Sequence, residues 1–168
     1  MRKSTMDWKK LFTMQKQLDH YIEESNKIPA KQNLFEDKCL ALLVELGELA
    51  NETRSFKFWS TKPPSADEVI LEEYVDGVHF ILSLGIEKGF EYSGIENGNK
   101  VEVDITAQFN TVFTSCIRFN EEPSQINYTT LFTDFLHLGK LLGYHATDIQ
   151  SAYYKKNKVN YDRQQEGY

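Results

Sequence analysis

Four carboxylates stand in two matched pairs, Glu45 with Glu48 in LLVELGELANE and Glu73 with Asp76 in LEEYVDGVHFILSLG. Three positions separate the members of each pair, which on a helix puts both side chains on one side with Cβ atoms about 5–6 Å apart. Their neighbours are apolar: Leu42, Leu43, Leu46, Leu49 and Ala50 around the first pair, Val78, Ile81 and Leu82 beyond the second. Charged side chains are seldom buried unless something pairs with them. Either pair alone reads as an ordinary solvated helix face. Two pairs of one spacing, set to face each other across a helical hairpin, read as a site. Carboxylates at such range repel and raise one another's pKa values unless cations sit between them. Hard oxygen ligands on a helical frame suit Mg²⁺, with Mn²⁺ as its substitute. Glu52, Glu68 and Glu72 read as solvated charges, Glu52 reaching the site only through an outer contact.

The elements that must position these groups are helical. Trp8, Leu11, Phe12, Gln15, Leu18, Asp19 and Ile22 recur at steps of three and four, which predicts a first helix from about Asp7 to Glu24. A second is predicted from near Gln32 through Phe35, Cys39, Leu42 and Leu49 to beyond Glu52, and a third from about Ala66 to Lys88. Between them WSTKPPSADE reads as a loop, with Pro63 and Pro64 denying backbone donors and Ser65 or Asp67 placed to cap the third helix. SGIENGNK, residues 93–100, reads as a loop after the third helix. Further helices are predicted over about Val101 to Phe119 and about Tyr128 to Leu142, with a last one from near Asp148 through the basic tail. DGVHFILSLG at 76–85 and DFLHLGKLLG at 134–143 share Asp, His and a final Gly, a weak echo of two similar helical hairpins with a period of 58 residues. Leu131 stands where the first copy has Glu73, so only that copy offers paired carboxylates.

At 168 residues and 40% hydrophobic, the chain is expected to form one domain spanning residues 1–168. A net charge of −6 argues against binding a nucleic-acid polymer, whose phosphates demand a basic surface. A small phosphorylated ligand held through a metal stays compatible with it. No apolar run approaches the roughly 18–20 residues that span a bilayer. The basic start MRKSTMDWKKLF lacks an apolar secretory segment. Cys39 and Cys116, with no CxxC spacing, read as free buried thiols. A cytoplasmic protein without membrane contact is the expectation. His79 and His137 each follow an aspartate by three positions. Their ordinary reading is a packed, hydrogen-bonded histidine, and a di-iron bundle is disfavoured because such sites use Glu-x-x-His pairs.

With these residues in view, the chain resembles the dimeric dUTPases, within the all-α nucleoside triphosphate pyrophosphohydrolases that include MazG-like enzymes. The two carboxylate pairs are shared by the whole superfamily. Similarity to the dimeric dUTPases is carried by Gln15 with Leu18 and Asp19, by NETRSFKFWS, by DGVHFILSLG, and most specifically by KNxxNxxRQxxGY from Lys156 to Tyr168. The resemblance implies an all-α helical-bundle domain used as a homodimer, and Mg²⁺-dependent hydrolysis of dUTP to dUMP and pyrophosphate, with dUDP as a second substrate. It implies that Glu45, Glu48, Glu73 and Asp76 ligate the metal, with Glu48 preferred for orienting or deprotonating the attacking water. By the same resemblance Gln15 contacts the uracil end, Trp59 is a pocket residue, and Lys156, Asn160 and Arg163 reach the nucleotide from the last helix. Asp19 departs from the asparagine common in the family. Tyr168 is the final residue where relatives continue to a phosphate-binding lysine, and the resemblance stops there. The alternatives are a broader (d)NTP or dCTP pyrophosphohydrolase, since carboxylates bind the triphosphate and not the base, and a non-catalytic helical module whose acidic faces bind a protein.

Overall fold

The computed structural model describes residues 5–94 and 102–168, and in it every regular element is a helix. The order is α1 (Trp8–Ser25), α2 (Phe35–Thr53), α3 (Asp67–Lys88), α4 (Ile105–Glu121), α5 (Gln125–Leu141) and α6 (Ala146–Gln165). The protein is therefore an all-α bundle, as its sequence periodicity implies, with no strand among the described residues. No helix among them is long and apolar enough to cross a membrane.

Local hydrogen bonding sets the helix starts, and there the structure departs from hydrophobic spacing. The α2 helix opens at Phe35 rather than near Gln32, because Gln32 closes a turn onto the Pro29 carbonyl and the Asn33 side chain accepts from the Phe35 N–H at 3.0 Å. At α3 the expected cap is not made. Ser65 instead donates to the Glu52 carboxylate, and Ala66 stands at the N-cap with no side-chain bond. Asp104 accepts from the Ala107 N–H at 2.8 Å and starts α4 at Ile105; Val101, where the sequence suggested its start, lies outside the described residues. So do residues 95–100 of the SGIENGNK stretch. Ser124 caps α5, which starts at Gln125, three residues ahead of Tyr128. Asp148 serves α6 from inside its first turn, its carboxylate accepting from the His145 N–H at 2.8 Å. A side-chain oxygen on an orphan N–H outranks the apolar stripe in deciding where a helix begins.

The α3 helix is the axis of the molecule and packs against α1, α2, α5 and α6. Tyr74, Val75, Val78, Ile81, Leu82 and Leu84 are all fully buried along it. It runs antiparallel to α2, and Lys38 near the start of α2 meets Glu87 near the end of α3 at 2.8 Å. A second helical pair, α4 with α5, packs beside the first, while α6 lies on α1 and α3.

Between α3 and α5 two tyrosines are used reciprocally. The Tyr74 hydroxyl donates to the Phe135 carbonyl at 2.9 Å, and the Tyr128 hydroxyl to the Ile81 carbonyl at 2.8 Å. Each accepting carbonyl lies four residues before a glycine, Gly139 or Gly85, where a Cβ would strike the hydroxyl. A buried phenol needs a partner, and glycine opens the way to one. This relation matches Tyr74 with Tyr128 and Gly85 with Gly139, a period of 54 residues and not the 58 of the sequence echo. The residues that meet lie on the shared interface, which the echoed Asp and His do not define.

Candidate active site

Antiparallel packing of α2 on α3 brings Glu45, Glu73 and Asp76 together, each offering one carboxylate oxygen within 4.8 Å of the other two. Glu45 Oε2 and Glu73 Oε2 are buried and have no hydrogen-bond partner. Burial, followed by the charges of Asp76 and Glu48, pushes the Glu45 carboxyl up to about 8. Burial, Asp76 and Glu48 likewise push Glu73 up to about 7, against a smaller opposing pull from Lys156. Asp76 is raised by burial and held back by Lys156. Glu48 lies outside the three-oxygen group, with an exposed side chain whose charge helps raise Glu45.

This donor set fits a hard divalent cation. Two orphaned carboxylate oxygens in a repelling cluster are left costly by folding, and a cation would satisfy both at once. Glu45, Glu73 and Asp76 are the residues able to hold it. Among the described residues, the group close enough to share an ion contains no histidine, so the di-iron pattern is not assembled.

From α6, Lys156 Nζ reaches 2.8 Å from Glu72 and 3.2 Å from Asp76, although the residue is only 7% exposed. Burial would lower its ammonium pKa, but the two carboxylates outweigh that and hold it raised. Glu72, which reads in the sequence as a free charge, is held below the usual carboxylate range by the lysine. The Arg163 charge also acts on Asp76 and Glu72, and its guanidinium lies over the Tyr168 ring at 5.4 Å. Asn160 is half-buried on the same helix.

Behind this rim is a buried polar network. Gln15 Nε2 donates to Asp19 at 2.8 Å, and Asp19 also accepts from Ser83 at 2.8 Å. A carboxylate can only accept, so Gln15 Oε1 must face inward. There it takes the Tyr153 hydroxyl at 2.9 Å and lies 2.7 Å from His79 Nδ1. Burial and the Lys156 charge push His79 down to about 3, with the Tyr153 backbone carbonyl acting weakly the other way. The ring is therefore neutral, its proton goes to Nδ1, and Nε2 keeps a lone pair. His79 stacks on Tyr153 with centroids 4.2 Å apart. Neither His79 Nε2 nor Asn157 Nδ2 has a hydrogen-bond partner, and both are buried.

Trp59 stands elsewhere, 65% exposed on the α2–α3 loop, in an aromatic group with Phe56 and the 92% exposed Phe58. Arg54 anchors this loop through the Lys62 carbonyl and Ser60. Two clefts of about 570 and 310 Å³ flank α1 and the end of α3, and neither is lined by the four carboxylates, Lys156 or Trp59. The acidic site is thus a rim between helices and not the floor of either cleft. Cys39 and Cys116 are free and buried, as their spacing implies.

Sequence reasoning undervalued Glu72, His79 and Asn157. Each had a signal: Glu72 and His79 lie four before and three after Asp76 on one helix, and Asn157 follows Lys156 within the basic tail. No curated protein matches the chain. A family model described as dUTPase matches residues 7–168, and the chain belongs to that all-α, MazG-like dUTPase family.

Proposed function

We propose that the protein hydrolyses dUTP to dUMP and pyrophosphate in the presence of Mg²⁺, with dUDP as a second substrate cleaved to dUMP and phosphate, and that it works as a homodimer. Family membership and the acidic group together support the coarser statement, a metal-dependent nucleoside triphosphate pyrophosphohydrolase. The observation that carries it is the pair of orphaned carboxylate oxygens on Glu45 and Glu73.

Glu45, Glu73 and Asp76 hold the metal in this reading, with Glu48, the fourth carboxylate of the set, contributing least to binding. Bound Mg²⁺ would neutralise charge on the triphosphate and on the oxygens entering and leaving phosphorus. Glu48 is the base or orienting group for the attacking water: its exposed carboxylate stands beside the cluster without being one of its three converging oxygens. Lys156, Asn160 and Arg163 offer donors to the phosphates along α6, the arginine as a planar fork and the lysine as a point charge.

For the base, Gln15, which Asp19 holds in one orientation, contacts the uracil end in this reading. The neighbouring His79 Nε2 offers an acceptor and Asn157 Nδ2 a donor. An imide edge, one N–H between carbonyls, suits such groups; cytosine reverses the polarity at its N3 and amino positions. A mismatched edge leaves buried polar groups unpaired, which costs more than losing an apolar contact. Trp59 supplies an aromatic wall. Leu40 and Val44, 63% and 51% exposed one turn apart on α2, support a second copy docking on that side of the helix.

The test is a nucleotide panel at fixed Mg²⁺ with products separated. Pyrophosphate release from dUTP far faster than from dCTP, dTTP or UTP is expected. Comparable kcat/KM across bases would move the protein to the broad (d)NTP class, and no hydrolysis of any nucleotide would refute the enzymatic reading.

A further inference from the structure

Lys156 is a buried ammonium with one partner in the metal-binding group and one outside it. Its side chain is 9% exposed, against 18% for Asp76 and 56% for Glu72. Glu72 and Asp76 lie four apart on α3, so one ammonium spans both. Glu72 is absent from the three converging carboxylates and carries none of the roles assigned above. The lysine therefore has an inner tether to a metal ligand and an outer tether to a residue with no other duty.

The two tethers respond differently to a cation. An ammonium and a divalent ion cannot share the Asp76 carboxylate without repulsion, and the doubly charged ion has the stronger claim. Lys156 then gives up Asp76. With no second anion it would turn toward water, because burial disfavours an unpaired charge. Glu72 is that second anion, 2.8 Å away and on the solvent side.

We propose that Glu72 is a positioning residue: it keeps the Lys156 ammonium at the rim when a divalent cation takes Asp76, so that the freed N–H donors face phosphate oxygens. This deepens, and rests on, the pyrophosphohydrolase reading. Lys156 thereby changes partner from carboxylate to phosphate while its Glu72 contact persists. One face of α3 presents both the metal ligand and the anchor of the phosphate donor.

Calorimetric titration of the full chain tests this with two probes, Mg²⁺ alone and α,β-imido-dUTP in saturating Mg²⁺. Lys156→Gln is expected to bind Mg²⁺ alone about fivefold more tightly than the parent, because no ammonium then holds Asp76. Glu72→Gln is expected to weaken the nucleotide analogue about fivefold in the parent and to have no effect in the Lys156→Gln background. Glu72→Asp, which keeps the charge, should restore analogue affinity to within about twofold. Independent, additive losses in the double variant would overturn the positioning role, as would an aspartate variant as impaired as the glutamine one. The aspartate arm decides the matter even where Lys156→Gln does not fold. A parent that binds both probes, with a Glu72→Gln variant indistinguishable from it, overturns this proposal alone. A parent that binds neither overturns the pyrophosphohydrolase reading with it.

Discussion

Replacing Glu45 with glutamine should stabilise the metal-free protein at high pH and leave it unchanged at low pH. Glu45 and Glu73 have folded-state pKa values near 8 and 7, above the ordinary 4.5. Between these limits the unfolded chain binds fewer protons than the native one, so metal-free stability falls as pH rises from about 4.5 through 8. Were the site fully dry, holding Glu45 at about 8 would correspond to ~4–5 kcal/mol. Glu45 is only half-buried, and solvent screening reduces the figure to ~1–2 kcal/mol. For a chain of this length that is about 3–6 °C in Tm. Parent and Glu45→Gln should be melted in chelator at pH 5.5, 7 and 9, then again with Mg²⁺. The variant is expected to lie closest to the parent at the lowest pH, where only the folded-state Glu45 is still protonated, and to melt progressively higher toward pH 9. Saturating Mg²⁺ should stabilise the parent more at pH 9 than at pH 5.5, because protons no longer compete for the ligands, and should stabilise the variant little. A variant that melts below the parent at pH 9, or a difference that does not change with pH, refutes the account of Glu45 as a repelled carboxylate in an ion site.

Glu48→Gln should retain Mg²⁺-dependent melting, since Glu48 is outside the three converging oxygens, while kcat drops by about a hundredfold or more; near-parental turnover would reassign the base. Trp59→Ala should leave stability within about 0.5 kcal/mol, because the ring is 65% exposed, yet raise KM for dUTP about tenfold; an unchanged KM would remove Trp59 from the substrate wall. Gly139→Ala should destabilise the fold by ~1–3 kcal/mol despite alanine's better helix propensity, because its Cβ meets the Tyr74 hydroxyl; thermal melting checks it, and a Tm at or above the parent's would refute the tyrosine latch.

The all-helical fold and the acidic pairs were legible in the sequence because both depend on short-range geometry. Spacings of three and four place Leu42, Leu46 and Leu49 on one stripe and Glu45 beside Glu48 wherever the helix lies. Boundaries were less legible, since Asn33, Asp104 and Ser124 set helix starts through individual hydrogen bonds that apolar periodicity does not register. Only the tertiary structure decided which carboxylates converge. The rotation of α2 against α3 turns Glu45 inward and leaves its partner Glu48 at the surface, a choice that spacing within one helix cannot make. It also joined groups far apart in the chain: Lys156 to Glu72 and Asp76, and Gln15 to His79 and Tyr153. Those contacts exist because α1, α3 and α6 pack on one another, and burial there removes the water that would otherwise satisfy the inner groups, so each must be answered by another part of the chain or by a ligand.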